Sequence, residues 1–133
     1  MKLEFLDDIS DSGRFPNVVS NRLVRLYDFD AIQATKLKDS IIENILKANK
    51  ALDLSSIDFI EPINCNLTFI ISDKDEGLKS HDKMNFVCAL TPLLYHEMTL
   101  LIEHFCKQEI DGYQWLYDID NPIDLLFSPG GNW

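Results

Sequence analysis

Two short segments repeat the order tyrosine, aspartate, apolar residue, aspartate: YDFD at residues 27–30 and YDID at residues 117–120. Each ends a run that predicts a β-strand, and residues two apart in an extended chain point the same way. If both strand ends meet at one edge, four carboxylates could bind Mg²⁺ or Ca²⁺ or raise one another's pKa for acid–base chemistry. These carboxylates belong to Asp28, Asp30, Asp118 and Asp120.

A structural interpretation of the same aspartates competes with the functional one. Asp30 occupies the position of a helix N-cap, and Asp120 begins an Asp-Asn-Pro turn. Both residues are therefore explained without a ligand. A small enzyme or ligand-binding domain that uses this carboxylate cluster, with or without a divalent cation, is our alternative hypothesis.

Histidine, glutamate and cysteine, which bind transition metals, occur together in YHEMTLLIEHFC, residues 95–106. On a helix, His96 and His104 lie about 80° apart and do not converge on one point. Cys88 in a predicted strand and Cys106 near an apolar stripe occupy positions that suit a small hydrophobic side chain. The sequence contains no P-loop, CxxC, HExxH or GxSxG motif. We therefore predict no catalytic residue, metal or other cofactor.

Aromatic residues cluster in GYQWLYDI, residues 112–119. Tyr113, Trp115 and Tyr117 would form a row on one side of a strand, and such rows pack in the cores of small proteins. Tyrosine and tryptophan are also enriched in protein–protein interfaces. No basic residues alternate with them, so the row does not resemble a base-stacking surface for nucleic acid. We favour sheet packing and keep a binding surface as the alternative.

The printed sequence closes with SPGGNW, residues 128–133. Pro129 cannot donate a hydrogen bond to a β-ladder, and the two glycines allow the chain to reverse. We expect Trp133 to fold back and seal the core, because an exposed indole would favour aggregation. The other interpretation is an exposed anchor for a partner.

The composition excludes several functional classes. The 133 residues are 46% apolar and 26% charged, as in a globular domain. The net charge of −10 repels phosphate backbones and anionic lipids, so we expect neither a nucleic-acid nor a membrane partner. The first residues do not resemble a signal peptide, and the odd, widely spaced cysteines Cys65, Cys88 and Cys106 suit reduced thiols. We expect a cytoplasmic protein.

The apolar periodicity predicts a single α+β domain over residues 1–133, with an irregular arm at residues 1–20 that contains a short strand at Leu3 to Leu6. The first helix begins after Asp30, and its apolar stripe runs from Ala34 to Leu52; the second begins at Thr91-Pro92. The other predicted strands cover residues 22–30, 65–72, 84–90, 113–119 and 123–128, and the second and third of these should form an antiparallel pair. A short extended piece, bounded by Pro62, covers residues 57–63.

The resulting order, β-α-β-β-α-β-β, predicts a two-layer sandwich in which a mostly antiparallel sheet carries two helices on one face. A ferredoxin-like arrangement is one of several topologies with this order. For function we favour a non-enzymatic, acidic interaction module of the adaptor, inhibitor or immunity type, which binds a basic protein through its aromatic sheet face and acidic rim. A homodimer formed by sheet extension is a third possibility.

Overall fold

The computed structural model describes residues 1–7, 22–107 and 112–133. Within these ranges the chain combines two α-helices with two β-sheets, which confirms the predicted α+β class. The elements, in chain order, are β1 (Lys2–Leu6), β2 (Leu23–Tyr27), α1 (Ala31–Ile41), β3 (Leu52–Asp53), β4 (Glu61–Pro62), β5 (Asn66–Ile71), β6 (Gly77–Lys79), β7 (Asn85–Leu90), α2 (Pro92–Glu103), β8 (Gln114–Trp115) and β9 (Asp124–Ser128).

The described strands form two mixed sheets instead of one mostly antiparallel sheet. The first sheet has the order β4-β1-β2-β9-β8, in which β2 runs parallel to β9 and β8 runs antiparallel to β9. The second sheet has the order β3-β5-β7-β6. The two-layer sandwich and the ferredoxin-like order are not confirmed. Periodicity identifies extended segments, but contacts between residues distant in sequence decide which strands pair.

The predicted antiparallel pairing of β5 with β7 is wrong, because these two strands are parallel, with Phe69 opposite Cys88. The polar connection between them contains β6, which pairs antiparallel with β7 through Leu78 and Cys88. The chain thus reverses once into β6 and again into β7. A connection that contains a strand of its own permits a parallel pair, which a tight hairpin would not.

The first helix begins as predicted but ends earlier. Asp30 caps it by accepting a hydrogen bond from the Gln33 N–H at 2.8 Å. After α1 the chain continues as a π-helical segment over Ile42–Lys47, and Asn49 then adopts a positive φ of 58°. The left-handed residue ends the helix, so Leu52 lies in β3 and not on the helical stripe.

The second helix also begins as predicted. Thr91 is the N-cap and accepts from the Leu94 N–H, while Pro92 occupies the first turn, where it removes no needed hydrogen bond. Tyr95, Met98 and Ile102 are its buried apolar residues. They recur at steps of three and four residues, so one face of α2 is buried and the adjacent face remains available.

One continuous cluster of buried side chains joins the two sheets and both helices. Phe29, Phe105 and Phe127 form an aromatic group within it, with ring centroids of Phe29 and Phe127 4.2 Å apart. The largest fully buried side chains are Tyr95, Phe69, Phe86, Phe127, Leu3, Leu23, Leu26, Leu37, Ile41, Ile45, Leu54 and Leu67.

Candidate functional site

A cleft of about 430 Å³ lies between α2 and the edge of the first sheet. Leu94, Glu97 and Leu101 form its helical wall. Residues 114–118, which comprise β8 and the three residues after it, form the opposite wall, and Asp124 of β9 completes the lining. We call this the α2–β8 cleft.

The helical wall follows from the way in which α2 is buried. Because Tyr95, Met98 and Ile102 face the core, residues at positions 94, 97 and 101 lie together on a neighbouring side of the helix. Leu93 and Leu100 lie beside them and are 67% and 49% exposed. The helix therefore presents a row of leucines, interrupted by one carboxylate, along the cleft and its outer border.

The opposite wall is β8, which is the edge strand of the first sheet among the described residues. Leu116 donates its N–H to the Leu125 carbonyl at 2.9 Å, and Gln114 lies opposite Phe127. Hydrogen bonding alternates along an antiparallel pair, so the N–H and C=O of Trp115 point away from β9. The Trp115 carbonyl accepts from the Gln114 side-chain Nε2 at 3.0 Å. In the part of the chain that the structure describes, the Trp115 N–H has no hydrogen-bond partner.

Tyr117 fixes the base of the cleft to both sheets. Its hydroxyl donates to the Ile123 carbonyl and accepts from the Leu78 N–H of β6 at 3.2 Å. Burial raises the pKa of the Tyr117 hydroxyl, so this group stays protonated as the donor. The side chain is buried, and this position is structural as well as part of the lining.

Asn121 strengthens the same link between the sheets. Its Nδ2 donates to the Glu76 carbonyl at 2.8 Å, and its Oδ1 accepts from the Ile123 N–H at 3.0 Å. The Asp-Asn-Pro sequence forms a turn, as predicted. Through Asn121 this turn, which follows Asp118 of the cleft wall, is hydrogen-bonded to β6 and the residue before it.

The rim of the cleft is acidic. Glu97 and Asp118 are exposed, and neither forms a hydrogen bond or an ion pair among residues 1–7, 22–107 and 112–133. Glu4 and Asp7, by contrast, have cationic neighbours in Arg25 and Lys83. The rim is thus a place where a positive charge from another molecule would meet uncompensated negative charge.

Three of the predicted binding residues line this cleft: Trp115, Tyr117 and Asp118. The predicted aromatic row is broken, because the strand ends at Trp115 and Tyr117 turns into the core. Tyr113 contacts Trp115 edge to face with ring centroids 5.9 Å apart and is 48% exposed. Of the predicted row, Tyr113 and Trp115 therefore remain as a contacting pair, with Trp115 partly buried against Leu23 and Leu126.

The structure does not bring the four predicted aspartates together. Asp28 follows β2 and donates its N–H to Pro129, at the far end of β9. Because β8 runs antiparallel to β9, Asp118 and Asp120 follow it at the opposite end of β9, about 13 Å away along the strand. Asp30 serves as the helix cap. Among the described residues, no three or more histidine, cysteine or acidic side chains lie close enough to hold a metal ion.

The prediction that Trp133 seals the core is wrong. Trp133 is 41% exposed, whereas Ser128 and Gly131 are the buried residues of this segment. The Gly131 carbonyl accepts from Arg25 Nη1 at 2.9 Å, and its φ of +78° turns the chain at that point. A cationic side chain holding a backbone carbonyl has replaced the apolar contact that we expected.

The three cysteines are free thiols. Burial raises the pKa values of Cys65 and Cys88 to about 12, so both are protonated and poorly nucleophilic at neutral pH. Cys106 is partly buried, and its Sγ donates to the Ile102 carbonyl at 3.5 Å. These contacts are those of cysteines that pack as small apolar side chains.

Leu94, Glu97 and Leu101 are not among the binding residues predicted from the sequence. Leu94 and Leu101 recur with the spacing of a core-facing stripe, and Glu97 belongs to the segment YHEMTLLIEHFC, for which no metal site was predicted. An available signal was the excess of leucine on α2: Leu93, Leu94, Leu100 and Leu101 exceed what one buried face requires.

Comparison with known proteins found no matching family model, curated protein or solved structure. In the described ranges, no helix is long and apolar enough to cross a membrane.

Proposed function

We propose that this protein is a non-enzymatic interaction module that binds a basic protein partner in the α2–β8 cleft. The observation that carries the proposal is a pair of rim carboxylates, Glu97 and Asp118, that have no partner among the described residues and lie beside a wall of leucines. Such a surface combines apolar contact area with an uncompensated negative potential. The partner would supply lysine or arginine together with apolar side chains.

The chemistry of the partner follows from charge. The net charge of −10 disfavours nucleic acid, anionic lipid and a second copy of the same chain, because each would bring like charges together. A basic protein would instead associate faster and more tightly at low salt. We propose the cytoplasm as the compartment, because the thiols of Cys65 and Cys88 are free and buried.

The test uses two double variants that alter the net charge equally. Glu97→Lys with Asp118→Lys reverses the rim of the cleft. Asp58→Lys with Glu61→Lys reverses two exposed carboxylates at or near β4, the opposite edge of the first sheet from β8. Each tagged protein is used to capture partners from the native cell at low and high salt, with quantification by mass spectrometry.

We expect the wild type and the Asp58→Lys, Glu61→Lys variant (the β4 variant) to capture the same basic partner in equal amounts. The Glu97→Lys, Asp118→Lys variant (the cleft variant) should capture at least about tenfold less of that partner. The captured amount should fall with increasing salt. Equal retention by both variants, or the absence of any enriched basic protein, would show that the cleft is not the binding site.

A further inference from the structure

Among the described strands β8 is the edge of its sheet, and five consecutive residues, 114–118, line that side of the α2–β8 cleft. The ladder with β9 covers residues 114 and 115 and ends at the Leu116 N–H, so the paired part of this wall spans about 10 Å and can align with about three residues of a partner strand. The Trp115 N–H and C=O point toward this edge. We infer that the partner binds as an extended segment that adds a strand to β8 beneath α2; this inference rests on the proposed function.

The groove has the geometry that strand addition needs: an edge strand on one side and a helix on the other. Leu94 and Leu101 lie two turns apart on α2, a separation of about 10 Å. Alternate side chains of an added strand are about 7 Å apart, so apolar side chains at those positions would pack against these leucines. Main-chain hydrogen bonds would supply affinity, and the side chains would supply specificity.

The rim charges define the rest of the occupant. Glu97 lies on the helical wall and Asp118 on the strand wall, so a partner strand that passes between them can place lysine or arginine beside each. A second copy of this chain would place its own net charge of −10 in the same groove. The occupant is therefore a basic, extended segment of another protein.

The edge hydrogen bonds distinguish an added strand from a docked helix. A helix in the groove would satisfy its own main-chain groups and leave the Trp115 N–H buried without a partner, which is costly. An added strand supplies a carbonyl to that N–H. The Gln114 side chain donates a hydrogen bond to the Trp115 carbonyl, and this bond must break before the partner's N–H can donate to the same carbonyl. It acts as an exchangeable cap that keeps the edge from pairing indiscriminately.

The probe is a capped eight-residue peptide of alternating lysine and valine, which favours an extended backbone and carries the expected charge. Two derivatives carry N-methyl groups either on all valines or on all lysines. Along a strand, N–H groups point alternately to the two edges, so only one derivative loses the donors that face β8. We expect that derivative to bind at least about fivefold more weakly, and the other within about twofold of the parent.

Hydrogen exchange gives the matching readout on the protein. The Trp115 main-chain amide should exchange at least about fivefold more slowly when the unmethylated peptide is bound. Equal effects of the two methylated peptides together with an unprotected Trp115 amide would overturn strand addition. If the Glu97→Lys and Asp118→Lys variant still loses the peptide, the cleft remains the site and only the mode of binding is wrong.

Failure of the proposed function itself has a different signature. The parent peptide would then bind the cleft variant as well as it binds the wild type, or would not bind the wild type at about 1 mM. Either result removes the cleft as a site for a basic segment and the strand inference with it. The Asp58→Lys and Glu61→Lys variant must bind like the wild type in every case that supports the inference.

Discussion

Replacing Arg25 with methionine is expected to lower the free energy of unfolding by about 3 kcal/mol. The guanidinium donates from Nε to Glu4 Oε1 at 2.9 Å and again from Nη2, while Nη1 donates to the Gly131 carbonyl at 2.9 Å. Its Cζ also lies 4.0 Å from the centroid of the Tyr27 ring. One side chain therefore joins β1, β2 and the segment after β9.

The magnitude follows from the exposure of these groups. The Arg25 and Glu4 side chains are only 21% and 19% exposed, so water screens their interaction poorly. Charge-assisted hydrogen bonds in such positions contribute about 2 kcal/mol, and the Gly131 carbonyl and the ring contact contribute about 1 kcal/mol more. For 133 residues, 1 kcal/mol corresponds to about 3.5 °C, so the thermal midpoint should fall by about 10 °C.

A double-mutant cycle with Glu4→Gln isolates the ion pair from the other contacts of Arg25. The coupling energy, measured by urea unfolding with unchanged m-values, should be about 2 kcal/mol. The matched control is the Lys79–Glu76 pair, whose side chains are 56% and 41% exposed and whose coupling should stay near 0.5 kcal/mol, the order of magnitude for surface pairs. Equal couplings for the two pairs would refute the argument from burial.

Two further predictions concern other parts of the structure. Gly77→Ala should lower the free energy of unfolding by about 2–3 kcal/mol, because φ is +77° and the new Cβ would lie 2.0 Å from Nδ2 of Asn121. The control Gly130→Ala, which meets nothing closer than 3.7 Å, should change it by less than about 0.5 kcal/mol in the same urea titration; similar losses would contradict the steric reason. In native protein at pH 8, a thiol reagent should label Cys106 well before Cys88, whose pKa burial raises to about 12. Peptide mapping by mass spectrometry checks this order, and equal labelling rates would mean that Cys88 is accessible.

Local signals in the sequence predicted the local parts of the fold well. Asp30 and Thr91 cap the two helices because their side chains accept hydrogen bonds from N–H groups three residues ahead, a contact that spacing alone predicts. The parallel pairing of β5 with β7 was not predictable in the same way. It depends on Leu78 of β6 occupying the other edge of β7, and no periodicity encodes which edge a strand will take.

Only those residues of the candidate site whose type is common in interfaces or ligand sites could be predicted from the sequence. Trp115 and Asp118 were named from the aromatic row and the acidic repeat, and both line the cleft. Leu94 and Leu101 were not predicted as site residues, because their spacing equally fits a core stripe and a sequence does not show which side of a helix a sheet will cover. The Trp133 prediction failed for a related reason, because Arg25 holds the segment through the backbone of Gly131.

The feature that contradicts the predicted aromatic row also produces the cleft. If β8 continued through Tyr117, that side chain would remain on the surface of the sheet beside Tyr113 and Trp115. Instead the Tyr117 hydroxyl reaches the Leu78 N–H and the Ile123 carbonyl, and the chain leaves the sheet directly after Trp115. Burial of Tyr117 thus shortens the edge strand, directs Asp118 to the rim and leaves the Trp115 N–H on the outer edge of the sheet without a partner among the described residues. Because the same hydroxyl anchors the strand wall to β6, Tyr117→Phe should loosen that wall and weaken peptide binding even though the hydroxyl contacts no ligand.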